Sequence, residues 1–200
     1  FDLVPDAGMI EAVCARTEAA GWGGRVTIGH VTRLSAMPPG QLSAILRRMA
    51  DAGVALTALP ATDLFLMGRE ANHLVPRGVA PMLAARAAGV RCSLSTNNML
   101  NPFTPMGDGS ALRIAHLYAH VAQAGSTEQL AGCFAMVAQE AEVVMGRPER
   151  RLAVDAPADI VVLSATDESA AVSGLVPAIT GFKNGRNSFS RAPVLLNPPA

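Results

Sequence analysis

Two hundred residues, half of them hydrophobic, suffice for a sizeable core, and 16 basic residues balance 16 acidic ones to a formal charge of zero. Disorder needs low hydrophobicity with high net charge and is excluded; neutrality and a 4% aromatic content leave neither an electrostatic footprint nor a stacking platform for nucleic acid. No apolar run approaches the roughly 18 residues of a membrane span, so the expectation is a soluble chain of roughly one to two domains.

The chain opens Phe1-Asp2-Leu3-Val4-Pro5, with neither an initiator Met nor a leader pattern, and reads as a piece of something longer or a trimmed one. Residues 9–20 carry Met9, Ile10, Val13 and Cys14 at helical spacing. The run Gly21-Trp22-Gly23-Gly24 ends that helix, because glycine supplies the left-handed closing conformation. Residues 25–29 are short and β-branched, which predicts a buried strand. Pro38 and Pro39 open a helix over residues 41–52, where first-turn amides have no helical acceptor to lose. The unit then repeats: strand 54–59, irregular stretch 62–76, helix 79–88, strand 90–95, loop 97–109, helix 110–124. A second long helix is expected over residues 127–145, with the Ser126 hydroxyl capping its first turn.

Strands alternating with glycine-terminated helices predict βαβ crossovers and a parallel sheet. Long loops follow the strands, while one or two residues follow the helices. In a (β/α)8 barrel the loops at the carboxyl ends of the strands build the active site. After Met145 the texture changes. Residues 146–154 hold three arginines and a proline, residues 159–163 read as a strand, and Lys183-Asn184-Gly185-Arg186 predicts a hairpin turn. This tail, 146–200, is expected to be a small β unit without helix, after an α/β unit over 1–145.

Functional candidates are the polar residues just past the strands. His30 follows the first, where it can ligate a metal, shuttle protons near neutral pH, or simply bond a backbone carbonyl. Asp63 follows the second, as a base, a substrate contact or the cap of the next turn. Asn97 and Asn98 follow the third; an amide is neither a general base nor a good metal ligand, and from the residues alone a turn accounts for them better than a functional role. Arg69 and Arg77, on either side of His73, have the chemistry to hold an anion or to pair with carboxylates. His116 and His120 sit four apart on a helix, but Leu117 stands where a zincin site has its glutamate, which favours packing or buried hydrogen bonding. The nine methionines read as core filler. Cys14, Cys92 and Cys133 are odd in number and lack C-x-x-C spacing, so no disulfide framework or zinc ribbon is expected. Reduced thiols fit a cytoplasmic protein.

Several stretches together resemble one family. Gly24-Arg25-Val26-Thr27-Ile28-Gly29-His30-Val31-Thr32 resembles the sixth barrel strand of cytosine deaminases of the amidohydrolase superfamily. Leu66-Met67-Gly68-Arg69 with Arg77-Gly78-Val79 resembles their next strand-to-helix loop, and Asn97-Asn98-Met99-Leu100-Asn101-Pro102-Phe103 their eighth-strand loop. The paired histidines, His116 and His120, fit as well. Ala156-Pro157-Ala158-Asp159-Ile160-Val161-Val162-Leu163 is similar to the strand with which these enzymes return to their β-sandwich. The likeness is collinear over nearly the whole chain.

The resemblance implies a partial (β/α)8 barrel, strands six to eight with their helices, followed by part of a composite β-sandwich. It implies a metal-dependent hydrolase, with Zn or Fe, that attacks a C–N bond of a cyclic amidine or amide with activated water. In that reading His30 orients the water and is a possible metal contact, Asn97 stands at the metal edge, and Asn98 touches the substrate, a small heterocycle. The family's metal-binding histidines would lie in the missing barrel half, or a homo-oligomer would cover the exposed edges. Where the family carries its metal-binding, proton-accepting aspartate, this sequence has Asn97. That departure motivates the alternative of a catalytically silent relative that binds a heterocycle without turnover.

Overall fold

The computed structural model describes residues 3–148, 152–192 and 194; Phe1, Asp2, Arg150 and Arg151 from the stretches discussed above lie outside the described residues. Strands β1 (Val26–Gly29), β2 (Val54–Ala58) and β3 (Cys92–Leu94) form a parallel sheet in the order β1-β2-β3. The register sets Val26 opposite Val54 and Gly29 opposite Thr57, then Leu56 opposite Cys92 and Ala58 opposite Leu94. Parallel neighbours require a crossover between them. Helix α2 (Pro39–Asp51) supplies the first, and α3 (Pro60–Leu66) with α4 (Met82–Ala87) supplies the second.

Side chains alternate along a strand, so each strand offers one face to the helices. Val54, Leu56 and Ala58 of β2 enter the main core with Met49, Met82, Leu94, Tyr118 and Met136. The opposite face carries small residues, Thr27, Gly29, Ala55, Thr57 and Ser93, of which Thr27 and Gly29 are exposed. Helix α1 (Gly8–Ala19) packs on α2 and β2 and buries Ile10 and Cys14. Gly53 turns α2 into β2 at φ +67°; a Cβ there would meet the Gly24 nitrogen at 2.7 Å, so both conformation and space require glycine.

Four stretches differ from the sequence expectation. Residues 25–29 supply the expected strand β1, but it is not buried: Val26 and Ile28 are half-buried and Thr27 and Gly29 exposed. Residues 62–76 do not begin as an irregular stretch. Pro60 opens α3 directly after β2, since its fixed φ suits a first helical position. The next helix is shorter than 79–88: it starts at Met82 after Pro81, and Val79 and Ala80 are buried ahead of it. The long helix over 127–145 is two, α6 (Thr127–Ala135) and α7 (Gln139–Val144). The break has a visible cause. The Met136 carbonyl accepts from the Leu94 amide of β3 at 2.9 Å, so it is diverted from the helical ladder to the sheet. Ser126 does open α6, with Gln129 completing a capping box.

The tail contains the expected strand, β4 (Ile160–Leu163), in an antiparallel sheet with β5 (Ala178–Lys183) and β6 (Arg186–Ser190). Asn184 and Gly185 both have positive φ, as the type I′ hairpin turn demands. The expectation of no helix there is overturned by α8 (Glu168–Gly174), whose Asp167 cap accepts from Ala170 N at 2.8 Å. Helix α8 packs on α6 and on α5 (Ala111–Val121), and its Val172 belongs to the main core. Met37, Met49, Met67, Met82 and Met136 are buried as filler, whereas Met9, Met99, Met106 and Met145 are exposed. Cys14, Cys92 and Cys133 are buried free thiols. Among the described residues no helix is long and apolar enough to cross a membrane.

Candidate active site

The carboxyl ends of the three parallel strands point the same way, so residues following them share one rim. His30 comes immediately after β1, and its amide donates to Thr57 O at 3.0 Å, extending the β1–β2 ladder by one residue. His30 and Val31 then both adopt positive φ, 67° and 50°. That conformation is uncommon for any residue with a Cβ and for β-branched valine is a true outlier; such strain persists where the surroundings over-determine it. The turn aims the His30 ring across the end of β2.

There it meets Asp63, one turn into α3. Asp63 is 0% exposed, and its Oδ1 lies 2.5 Å from His30 Nδ1. Among the described residues its Oδ2 is buried without a hydrogen-bond partner. From the other side, Asn97 Nδ2, after β3, lies 3.3 Å from His30 Nε2. A carboxylate only accepts and an amide NH2 only donates. The arrangement is satisfied when His30 carries its proton on Nδ1, donates to Asp63, and presents Nε2 as an acceptor. Burial pushes the Asp63 carboxyl above its ordinary range, and the hydrogen bond and charge of His30 pull it partly back.

His30, Asp63 and Asn97 are therefore brought together. The Leu59 side chain forms no cap bond at the start of α3, and the Leu59 amide helps hold the Asp63 carboxyl down, a cap-like part that Asp63 plays besides its contact with His30. Asp63 is not an exposed substrate contact: it is fully buried, with its Oδ1 against His30 Nδ1. Asn98 lies in the same loop but is spent largely on its architecture, its Oδ1 accepting from Asn101 Nδ2 at 2.9 Å and its carbonyl from Thr96 Oγ1 at 2.9 Å. Arg77 donates to the Met67 and Pro76 carbonyls, and Arg69 stacks over Phe65 at 5.2 Å, so neither joins the rim. His116, half-buried, donates from Nδ1 to Val172 O at 2.7 Å, whereas His120 donates to His116 O at 2.9 Å from an exposed position, so the expected packing or buried hydrogen bonding fits His116 and not His120.

Sequence reasoning missed the fastening of this rim. Asn101 Oδ1 accepts from the Phe103 and Thr104 amides, folding the β3–α5 loop on itself. The Thr104 hydroxyl then meets Thr62 Oγ1 at 2.7 Å in a fully buried contact between that loop and α3. The Asn101-Pro102 step was the available signal for the turn; nothing local announces the threonine pair. An apolar cleft of about 910 Å³ lies alongside, lined by Phe65, Met106, Ile114, His116 and Leu175 among others, and His30, Asp63 and Asn97 do not line it.

The donor set does not fit a metal centre by itself. Among the described residues no three His, Cys, Asp or Glu side chains are grouped to hold a metal ion. At the rim itself His30 Nδ1 is taken by Asp63, and Asn97 offers a neutral amide.

Parallel strands joined by helices, with polar side chains converging past their carboxyl ends, define an α/β protein consistent with an arc of a TIM-type barrel. The model of the Amidohydrolase family matches residues 5–176. The chain belongs to the amidohydrolase family.

A pterin deaminase of Rhizobium rhizogenes is 30% identical over 165 residues, which are 78% of this chain and 36% of that protein. Among solved structures, a 5-methylcytosine deaminase from Klebsiella pneumoniae, liganded with 5-fluorocytosine, superposes at TM-score 0.90 and 21% identity, covering 98% of this chain and 48% of that one. An N-isopropylammelide isopropylaminohydrolase from Burkholderia multivorans gives TM-score 0.77 at 26% identity, over 90% of this chain and 43% of that one. The chain thus spans about a third to a half of the length of these relatives.

Proposed function

We propose that this chain forms part of a hydrolase that breaks a C–N bond of a small cyclic amidine or amide with water, releasing ammonia or an amine. The observation that carries the reading is the contact of Asn97 with His30 across the carboxyl ends of β1 and β3, in a chain of amidohydrolase family. In this reading the three strands are the sixth to eighth of a barrel whose other strands close the pocket, and the tail belongs to a β-sandwich. His30 Nε2 holds the attacking water. The Asn97 amide, bonded to His30 when no ligand is present, turns to the water or to the substrate's heteroatoms. Asn98 contributes its Nδ2 to the substrate. Zn or Fe is the ion the family resemblance implies, with ligands from outside this chain.

The relatives act on pterin, 5-methylcytosine and N-isopropylammelide, so the substrate class is a flat nitrogen heterocycle with an exocyclic amino group. Release of ammonia by the full-length protein from pterin and 5-methylcytosine, and of isopropylamine from N-isopropylammelide, tests the reading. Turnover of at least one supports it. Binding of these compounds without turnover supports the second reading, a silent relative, which the neutral Asn97 favours.

A further inference from the structure

An amide side chain cannot take a proton from water, so a hydrolytic rim that carries Asn97 needs its base elsewhere. The ionisable group that Asn97 touches is His30. We propose that Asp63 is the positioning residue that makes His30 Nε2 the proton acceptor of this site, so that the role an aspartate would fill at position 97 falls to a buried Asp63–His30 pair. The proposal deepens the hydrolase reading above and rests on it.

The geometry separates this role from the two that the position of Asp63 suggests. A substrate contact must reach solvent, and Asp63 is 0% exposed. A helix cap bonds backbone amides at the helix start; the Leu59 amide does bear on the Asp63 carboxyl, but that influence leaves the contact with His30 unexplained. What Asp63 does contact is His30 Nδ1, at 2.5 Å, while Asn97 meets the other ring nitrogen. A carboxylate there selects the tautomer with the proton on Nδ1, holds the ring plane, and stabilises the imidazolium once Nε2 is protonated. The unpartnered Oδ2 fits the same role, because a carboxylate left short of donors is a stronger electrostatic partner for a cation forming on the ring. Both partners are also held from behind: His30 by its bond to Thr57 and its left-handed backbone, Asp63 by the Thr62–Thr104 contact one residue away.

The proton account closes without any further reactant. The water oxygen bonds the amidine carbon as one water proton passes to His30 Nε2, and His30 returns that proton to the ring nitrogen. Collapse of the tetrahedral adduct breaks the exocyclic C–N bond, the hydroxyl proton leaves with the amino group as ammonia, and the ring retains a carbonyl. His30 ends neutral, and Asp63 stays ionised throughout.

Two measurements on the full-length protein test this. Long-range proton–nitrogen correlation of nitrogen-15-labelled protein reads the His30 tautomer, with His30→Gln assigning the signal. The proposal expects the Nδ1–H form in the wild type and its loss in Asp63→Asn. Ammonia release should show kcat lowered by about 100-fold or more in Asp63→Asn, with KM kept within about threefold and part of kcat recovered in Asp63→Glu. An Nε2–H tautomer in the wild type, an unchanged kcat in Asp63→Asn, or a loss confined to KM overturns the proposal. If no probe releases ammonia, the hydrolase reading falls and the proton-acceptor role falls with it. The tautomer then still decides whether Asp63 positions His30, and should Asp63→Asn not fold, the wild-type tautomer decides it alone.

Discussion

At the scale of residues, His30 spans two environments, with one ring nitrogen against a carboxylate sealed from water and the other against an exposed amide. The sequence showed both neighbours as polar residues past strand ends, but not which was buried against the ring and which exposed. That difference depends on α3 starting at Pro60, one residue beyond β2, which drives Asp63 inward rather than along a loop. Burial raises the Asp63 carboxyl, so the folded state holds its proton more tightly than the unfolded chain does. The stability this contributes is fully present below the ordinary value of 3.8 and is lost as pH rises through the raised one. Urea denaturation of wild type and Asp63→Asn across acid to neutral pH should therefore show the wild type gaining on the variant as pH falls. A difference independent of pH, or one growing as pH rises, contradicts this sign.

At the scale of elements, local chemistry marked where structure begins more reliably than where it ends. Ser126 with Gln129, and Asn184 with Gly185, were legible because each motif satisfies its own backbone within a few residues. Asp167 offered the same kind of signal for α8, masked by a tail that otherwise reads as strands. The break between α6 and α7 was not legible. It is made by Leu94 of β3 claiming the Met136 carbonyl, a contact across some forty positions of sequence. Because the Ser126 cap satisfies the Gln129 amide and receives the Gln129 side chain at its own, Ser126→Ala should cost about 1 kcal/mol, read as a lowered urea midpoint with unchanged slope. An unchanged midpoint would mean that α6 is held by its packing against α5 and α8 alone.

At the scale of the whole molecule, the alternation of strands and helices made the parallel sheet legible, and the family likeness located its rim. What composition and spacing left out is that the sheet is unevenly covered, with Ala55 and Ser93 buried on the face away from the main core but the β1 end of that face open. The helices cover Val54, Leu56 and Ala58, while Thr27 and Gly29 lie exposed on the other side. Among the described residues β1 and β3 each pair on one edge alone. Open parallel edges recruit other strands. These 200 residues prepared alone should therefore scatter light as a species larger than their 20.7 kDa, and a stable monomer of that mass would contradict the expectation.

The proposed hydrolysis takes place between His30 and Asn97, not in the apolar cleft beside α3 and α5. A crystal structure of the full-length protein with a bound pterin or 5-fluorocytosine tests it most directly. The carbon that bears the exocyclic group should lie at the strand ends, within one water, roughly 3 Å, of His30 Nε2. A heterocycle seated instead against Phe65, Ile114 and Leu175, with His30 facing empty solvent, would contradict it.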